Sequence, residues 1–111
     1  MRGLGRKRCW METQTVYWQM PNGLQFEWDS AKAALNHRNH RISFPYGTRV
    51  FLDPHRQEML DTREEYGEER RIVLGRVDEW VLVVVYTLRG SNLRLISARK
   101  ADRNDYRIYW H

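Results

Sequence analysis

The sequence predicts an α+β domain: a small antiparallel sheet of three to four strands, two helices before it and one after it. Three observations predict this. The chain has 111 residues, which suits one domain and is too short for two. Helix-start residues, Asp29, Ser43 and Asp102, sit near the two ends of the patterned region. Between them lie alternating, β-branched segments. Helices and strands grouped in this way belong to α+β architectures, with the helices expected on one face of the sheet.

The elements follow in order. Residues 1–22 read as a basic, flexible N-terminal extension, with the domain running over 23–111. Arg2, Arg6, Lys7 and Arg8 cluster there beside Gly3 and Gly5, and a short apolar stretch, Val16–Trp18, follows. The stretch lacks the long apolar run and small-residue cleavage site of a secretory signal. Phe26–Trp28 suits a short strand. Asp29 can cap a helix starting at Ser30, on which Ala31, Ala34, Leu35 and Arg38 share a face. That helix fails near His40-Arg41. Ser43 caps a shorter helix with Pro45 in its first turn, ended by Asp53-Pro54.

Gln57–Asp61 is the next strand, and the polar stretch Thr62–Glu69 a loop. Arg70–Val77 alternates. Asp78-Glu79 is a weak hairpin signal, because it lacks the glycine such turns prefer. Trp80–Leu88 is dense in valine and suits a strand buried on both faces. Arg89-Gly90-Ser91-Asn92 makes a turn, and Leu93–Ala98 alternates again. Asp102, with Asp105 three residues on, starts a last helix with an aromatic face of Tyr106, Tyr109 and Trp110.

Composition narrows the function. The formal net charge is +5 and the pI about 9.7. Of 19 basic residues 16 are Arg, whose planar fork suits phosphate oxygens. A polyanionic partner accounts for this bias, and so does a GC-rich genome. The single cysteine, Cys9, excludes an intrachain disulfide and a cysteine zinc site, and it fits a reducing, cytoplasmic setting. The longest apolar run, Trp80–Tyr86, is seven residues, against about 20 for a membrane-spanning helix, so no membrane partner is expected. No metal or cofactor motif is visible, and no cofactor is expected.

Several strings together resemble the BrnT family of toxins. Phe26-Glu27-Trp28-Asp29, Lys32, Asn36, His40, Phe44, Val50-Phe51 and Asp53-Pro54 match its first half. Gly67-Glu68-Glu69-Arg70, Gly75, Leu82-Val83-Val84-Val85-Tyr86-Thr87 and Arg89-Gly90 match its middle. Arg94 through Ala101, with Arg103 and Tyr109, match its end. The resemblance covers about residues 24–110. It implies a RelE-like fold and a ribonuclease toxin of a type II toxin–antitoxin pair. It also implies a cognate BrnA-like antitoxin that forms a hetero-oligomer with the toxin, operator DNA being met only through that complex. One departure is Asn39-His40-Arg41, where the family usually has Lys-His-Gly. The lost glycine removes an easy left-handed helix cap.

RNA carries its own nucleophile, the 2′-hydroxyl. Cleavage without a metal needs help in removing that proton, cations around the phosphorane, and a proton for the leaving oxygen. Arg70 and Arg99 are the candidate phosphate clamp, since Arg70 opens one strand and Arg99 closes another. Lys100 ranks second, and His40 is the candidate acid or base by its intrinsic pKa. Lys32, Arg94, Arg103, Tyr86 and Tyr109 are candidates for binding RNA. Each has a plain alternative: surface ion pairs with Glu68, Glu69, Asp102 or Asp105 for the arginines, a helix end for His40, and core packing for both tyrosines. The five tryptophans suit a core or a partner surface as well as RNA bases, and none is assigned. The competing function is a non-catalytic module that binds nucleic acid or antitoxin.

Overall fold

The computed structural model describes residues 14–111. The basic cluster Arg2, Arg6, Lys7 and Arg8, together with Cys9, lies outside them. Strands β1 (Thr15–Gln19) and β2 (Gln25–Asp29) open the described chain, followed by helices α1 (Ser30–His40) and α2 (Phe44–Gly47) and a 3-10 turn over Thr48–Leu52. Strands β3 (Gln57–Leu60), β4 (Arg70–Val77), β5 (Trp80–Arg89) and β6 (Asn92–Lys100) come next, and helix α3 (Arg103–Trp110) ends the chain.

The strands form one six-stranded sheet in the order β1-β2-β6-β5-β4-β3. All neighbours are antiparallel except β2 and β6, which run parallel at Phe26↔Leu93 and Glu27↔Arg94. This corrects the expected antiparallel sheet of three to four strands behind two N-terminal helices. The sheet is mixed, and it begins before the helices, with β1 drawn from the stretch read as an extension. Parallel pairing of β2 with β6 joins segments at opposite ends of the chain, and no local turn announces such a contact.

The helices also occupy both faces of the sheet rather than one. β5 shows why. Its side chains alternate, Leu82, Val84 and Tyr86 one way and Val81 and Val83 the other, and all are buried. The first set packs with Phe26, Trp28, Phe44, Val50, Phe51 and Leu95 beneath α1, α2 and the 3-10 turn. The second packs with Leu74 and Tyr109 beneath α3. A strand apolar on both sides needs a cover on both sides.

Local chemistry sets the helix ends. Asp29 accepts the Ala31 N–H at 3.2 Å and Ser43 that of Tyr46 at 3.2 Å. Asp102 and Asp105 form a reciprocal capping box at the start of α3. The outer face of α1 carries Ala31, Ala34, Leu35 and Arg38, all exposed, while Ala33 and the buried Asn36 face inward. Gly75 lets β4 approach the 3-10 turn, since a Cβ there would lie 2.7 Å from the Val50 Cβ and 2.8 Å from its carbonyl oxygen. No described helix is long and apolar enough to cross a membrane.

Candidate nucleic-acid interface

Cross-strand register brings basic residues of three strands onto one face. Arg70 of β4 pairs with Thr87 of β5, and Thr87 with Arg94 of β6. Directly paired residues share a face, so Arg70, Thr87 and Arg94 form one row. Leu74, Val83 and Arg99 form a second row, four residues away along β5. That is about 13 Å at the usual strand rise. Val83 packs under α3, so both rows lie on the α3 side.

Arg94 and Arg99 are five residues apart and would point to opposite faces of a regular strand. A register shift resolves this. Tyr86 pairs with Leu95 but Val85 with Ser97, leaving Ile96 as an extra residue that re-phases β6. Asn36 of α1 holds the re-phased segment. Its Nδ2 donates to the Ala98 carbonyl at 2.8 Å and the Ile42 carbonyl at 3.1 Å, and its Oδ1 accepts the Ala98 N–H at 3.1 Å. β2 pairs with β6 only at Leu93 and Arg94, so a side-chain amide serves Ala98 where a neighbouring strand would have.

Each of the three arginines has a carboxylate partner. Arg70 Nε donates to Glu68 at 3.2 Å, and its guanidinium lies 4.1 Å from the centre of the Tyr66 ring. Arg89 reaches the other Glu68 oxygen at 3.5 Å. Arg94 donates to the buried Glu27 at 2.6 Å, and Asn92 to its other oxygen at 3.0 Å. The Asn92 amide, aided by Arg94, holds the Glu27 carboxyl below the usual range against the opposing effect of burial. Arg99 donates to Asp105 at 2.7 Å. Burial pushes Asp105 up, but hydrogen bonds from Arg99 and the Asp102 N–H outweigh it and hold the carboxyl low.

The other candidates lie elsewhere. Lys100 pairs with Leu82 on the opposite face, its ammonium 4.0 Å from the Trp80 ring centre. Lys32 and His40 are exposed on α1, in the layer across the sheet, and the structure does not bring them to the arginines. Arg103 is exposed at the first residue of α3. Tyr86 and Tyr109 are core residues whose hydroxyls donate to Glu58 at 2.9 Å and to Asp53, respectively. Burial first, then the adjacent carboxylate, pushes each hydroxyl up to about 12, and both rings are buried in the two cores rather than presented on the surface.

Sequence reasoning missed Tyr66 and Glu27. Glu27 left a signal: between Phe26 and Trp28 it faces away from the first core. Tyr66 left none, because its place beside Arg70 is set by loop geometry. Among the described residues no three His, Cys, Asp or Glu side chains converge as a metal set.

A six-stranded mixed sheet covered by helices on both faces, one face carrying a row of arginines, defines a small α+β protein. The family model described as "Ribonuclease toxin, BrnT, of type II toxin-antitoxin system" matches residues 28–105, and the chain belongs to that family. It is a ribonuclease toxin of a type II toxin–antitoxin system. No curated protein matches the chain closely enough to count as a relative.

Proposed function

We propose that this toxin cleaves RNA without a metal, by attack of the 2′-hydroxyl on the adjacent phosphate, and that a cognate BrnA-like antitoxin holds it inactive. The observation that carries this reading is the shared face of Arg70, Arg94 and Arg99 on the sheet of a BrnT-family chain. Arg70 and Arg94 stand two strands apart in one row, about 10 Å between backbones, and side chains of this length reach one phosphate between them. Arg99 grips the backbone further along. The incoming phosphate displaces Glu68 from Arg70, and the released carboxylate is the nearest acceptor for the 2′ proton. The guanidinium groups stay in place as charge builds on the phosphorane oxygens; the P–O5′ bond then breaks, leaving a 2′,3′-cyclic phosphate, and the departing 5′ oxygen takes its proton from water. Lys100 and His40 rank behind these groups, because they sit across the sheet.

Sequencing of RNA ends after brief expression tests the reading. Wild type generates new ends, in chelator as well as in magnesium. Arg70→Ala lowers kcat by roughly 100-fold, the scale for losing one transition-state donor. Arg99→Ala chiefly raises KM. RNA that is bound but never cut makes the chain a binding module, and activity abolished by EDTA and restored by magnesium rules out the metal-free route. Normal cutting by His40→Ala removes histidine from the mechanism.

A further inference from the structure

A cleft of about 600 Å³ opens at the C-terminal end of α3, between that helix, the segment 53–57 and strand β4. Its walls are Asp53, His55, Gln57, Arg76, Tyr109 and Trp110. We propose that it is a second subsite for single-stranded RNA, in which Trp110 stacks on a base and Arg76 takes a backbone phosphate. The proposal rests on the ribonuclease reading and extends the substrate path beyond the three arginines.

Four observations carry it. Arg76 differs from Arg70, Arg94 and Arg99 in its counter-charge: among the described residues it makes no ion pair, and its Nε donates only to the Asp78 carbonyl at 3.1 Å. A phosphate arriving there displaces no carboxylate. Trp110 is 62% exposed yet ordered by its neighbour, standing edge-on to the Tyr109 ring at 4.9 Å and 87°. A large flat ring left in water beside an unpaired cation is the pairing that single-stranded nucleic acid uses.

The carboxylate in the wall, Asp53, keeps its charge but is buried, and the Tyr109 hydroxyl, the Arg76 N–H at 2.7 Å and the His55 N–H at 2.9 Å hold it in place, which leaves the exposed Arg76 side chain to meet an anion. The cleft also lies on the right side of the sheet. Arg70, Ile72, Leu74 and Arg76 alternate onto one face of β4, and Arg76 pairs with Val81 beneath α3. Six residues of strand put Arg76 about 20 Å from Arg70, so one RNA strand can meet both. A docking protein helix needs a continuous apolar floor, whereas His55, Gln57 and Arg76 interrupt this one.

Binding of a 12-nucleotide 2′-O-methyl RNA to the full chain, followed by fluorescence anisotropy across a salt series, tests the subsite. The methylated sugar cannot attack, so the readout is independent of cleavage. Trp110→Ala should weaken binding roughly tenfold with an unchanged salt slope, and Trp110→Phe should recover most of the loss. Arg76→Gln should weaken binding and flatten the slope by about one. Both positions are exposed, and a thermal melt checks that the variants fold. Wild-type affinity in both variants, with weakened binding in Arg99→Ala, overturns the cleft and leaves the ribonuclease reading standing. Weakened binding by both variants of a toxin that never cuts RNA keeps the cleft and removes the nuclease. Loss of a co-expressed antitoxin from Trp110→Ala, with RNA affinity intact, assigns the cleft to the protein partner and overturns the proposal.

Discussion

Arg41 ends α1 with φ 61° and ψ 25°, a left-handed conformation, while its N–H reaches back to the His37 carbonyl at 2.8 Å. This is the cap geometry that glycine adopts without strain, and the family usually places glycine there. The chain therefore keeps the cap and bears its steric cost, so Arg41→Gly should stabilise the fold by about 1 kcal/mol, read as a higher urea midpoint. An unchanged or lower midpoint would show that the Arg41 side chain compensates. Asp61 carries a second residue-scale prediction. It accepts three hydrogen bonds from Arg63, at 2.8, 2.8 and 3.2 Å, and one from the Tyr66 hydroxyl at 3.1 Å. Led by the Arg63 side chain, these lower its carboxyl to about 2 in the folded state, against about 3.9 for a free Asp. Its stabilising effect is thus full above about pH 4 and lost as pH falls toward 2. Urea midpoints measured from pH 5 to 2 should fall more steeply for wild type than for Asp61→Asn. Parallel slopes would assign the acid limb to other carboxylates.

At the scale of elements, the caps were legible because each is a local rule: Asp29, Ser43 and Asp102 sit within four residues of the N–H groups they satisfy. The two-faced burial of β5 was legible from its valines. Two features were not. β1 is a five-residue edge strand, and four of its five residues are exposed, so its apolar signal is weak. The bulge in β6 is invisible because Leu93–Ala98 reads as regular alternation, and the extra residue appears only against β5. That bulge decides where Arg99 points, and Asn36 is what holds it. Asn36→Ala leaves the Ala98 N–H and carbonyl without partners in a buried site, a loss of about 3 kcal/mol. Native hydrogen exchange should show the Ala98 amide opening far more readily in the variant than the amides of β5. Equal protection of Ala98 in both proteins would mean that β6 keeps its register without α1.

Across the whole molecule, the net charge of +5 is a poor guide to the face that matters. The ion pairs given as the plain alternative for the arginines are present in two of three cases, Arg70 with Glu68 and Arg99 with Asp105, while Arg94 meets Glu27. The two local pairs, two and six residues apart, were legible in the sequence, whereas Arg94 with Glu27 follows from the parallel pairing of β2 with β6 and was not. The pairing has a physical use. An arginine held by a carboxylate is already oriented, so less side-chain entropy is lost when a phosphate takes over, although the carboxylate must then be displaced. Glu68 is the sharpest case, because it holds both Arg70 and Arg89. Replacing it with Gln keeps the shape and removes one negative charge beside the clamp. RNA binding should therefore tighten several-fold and its salt slope should steepen. If Glu68 also accepts the 2′ proton, the same substitution should slow cleavage, so that affinity rises while kcat falls. Anisotropy with 2′-O-methyl RNA and single-turnover cleavage of unmodified RNA separate the two effects. Tighter binding with undiminished kcat would leave Glu68 as a counter-ion alone, and weaker binding would show that its grip on Arg70 is needed to aim the guanidinium at RNA.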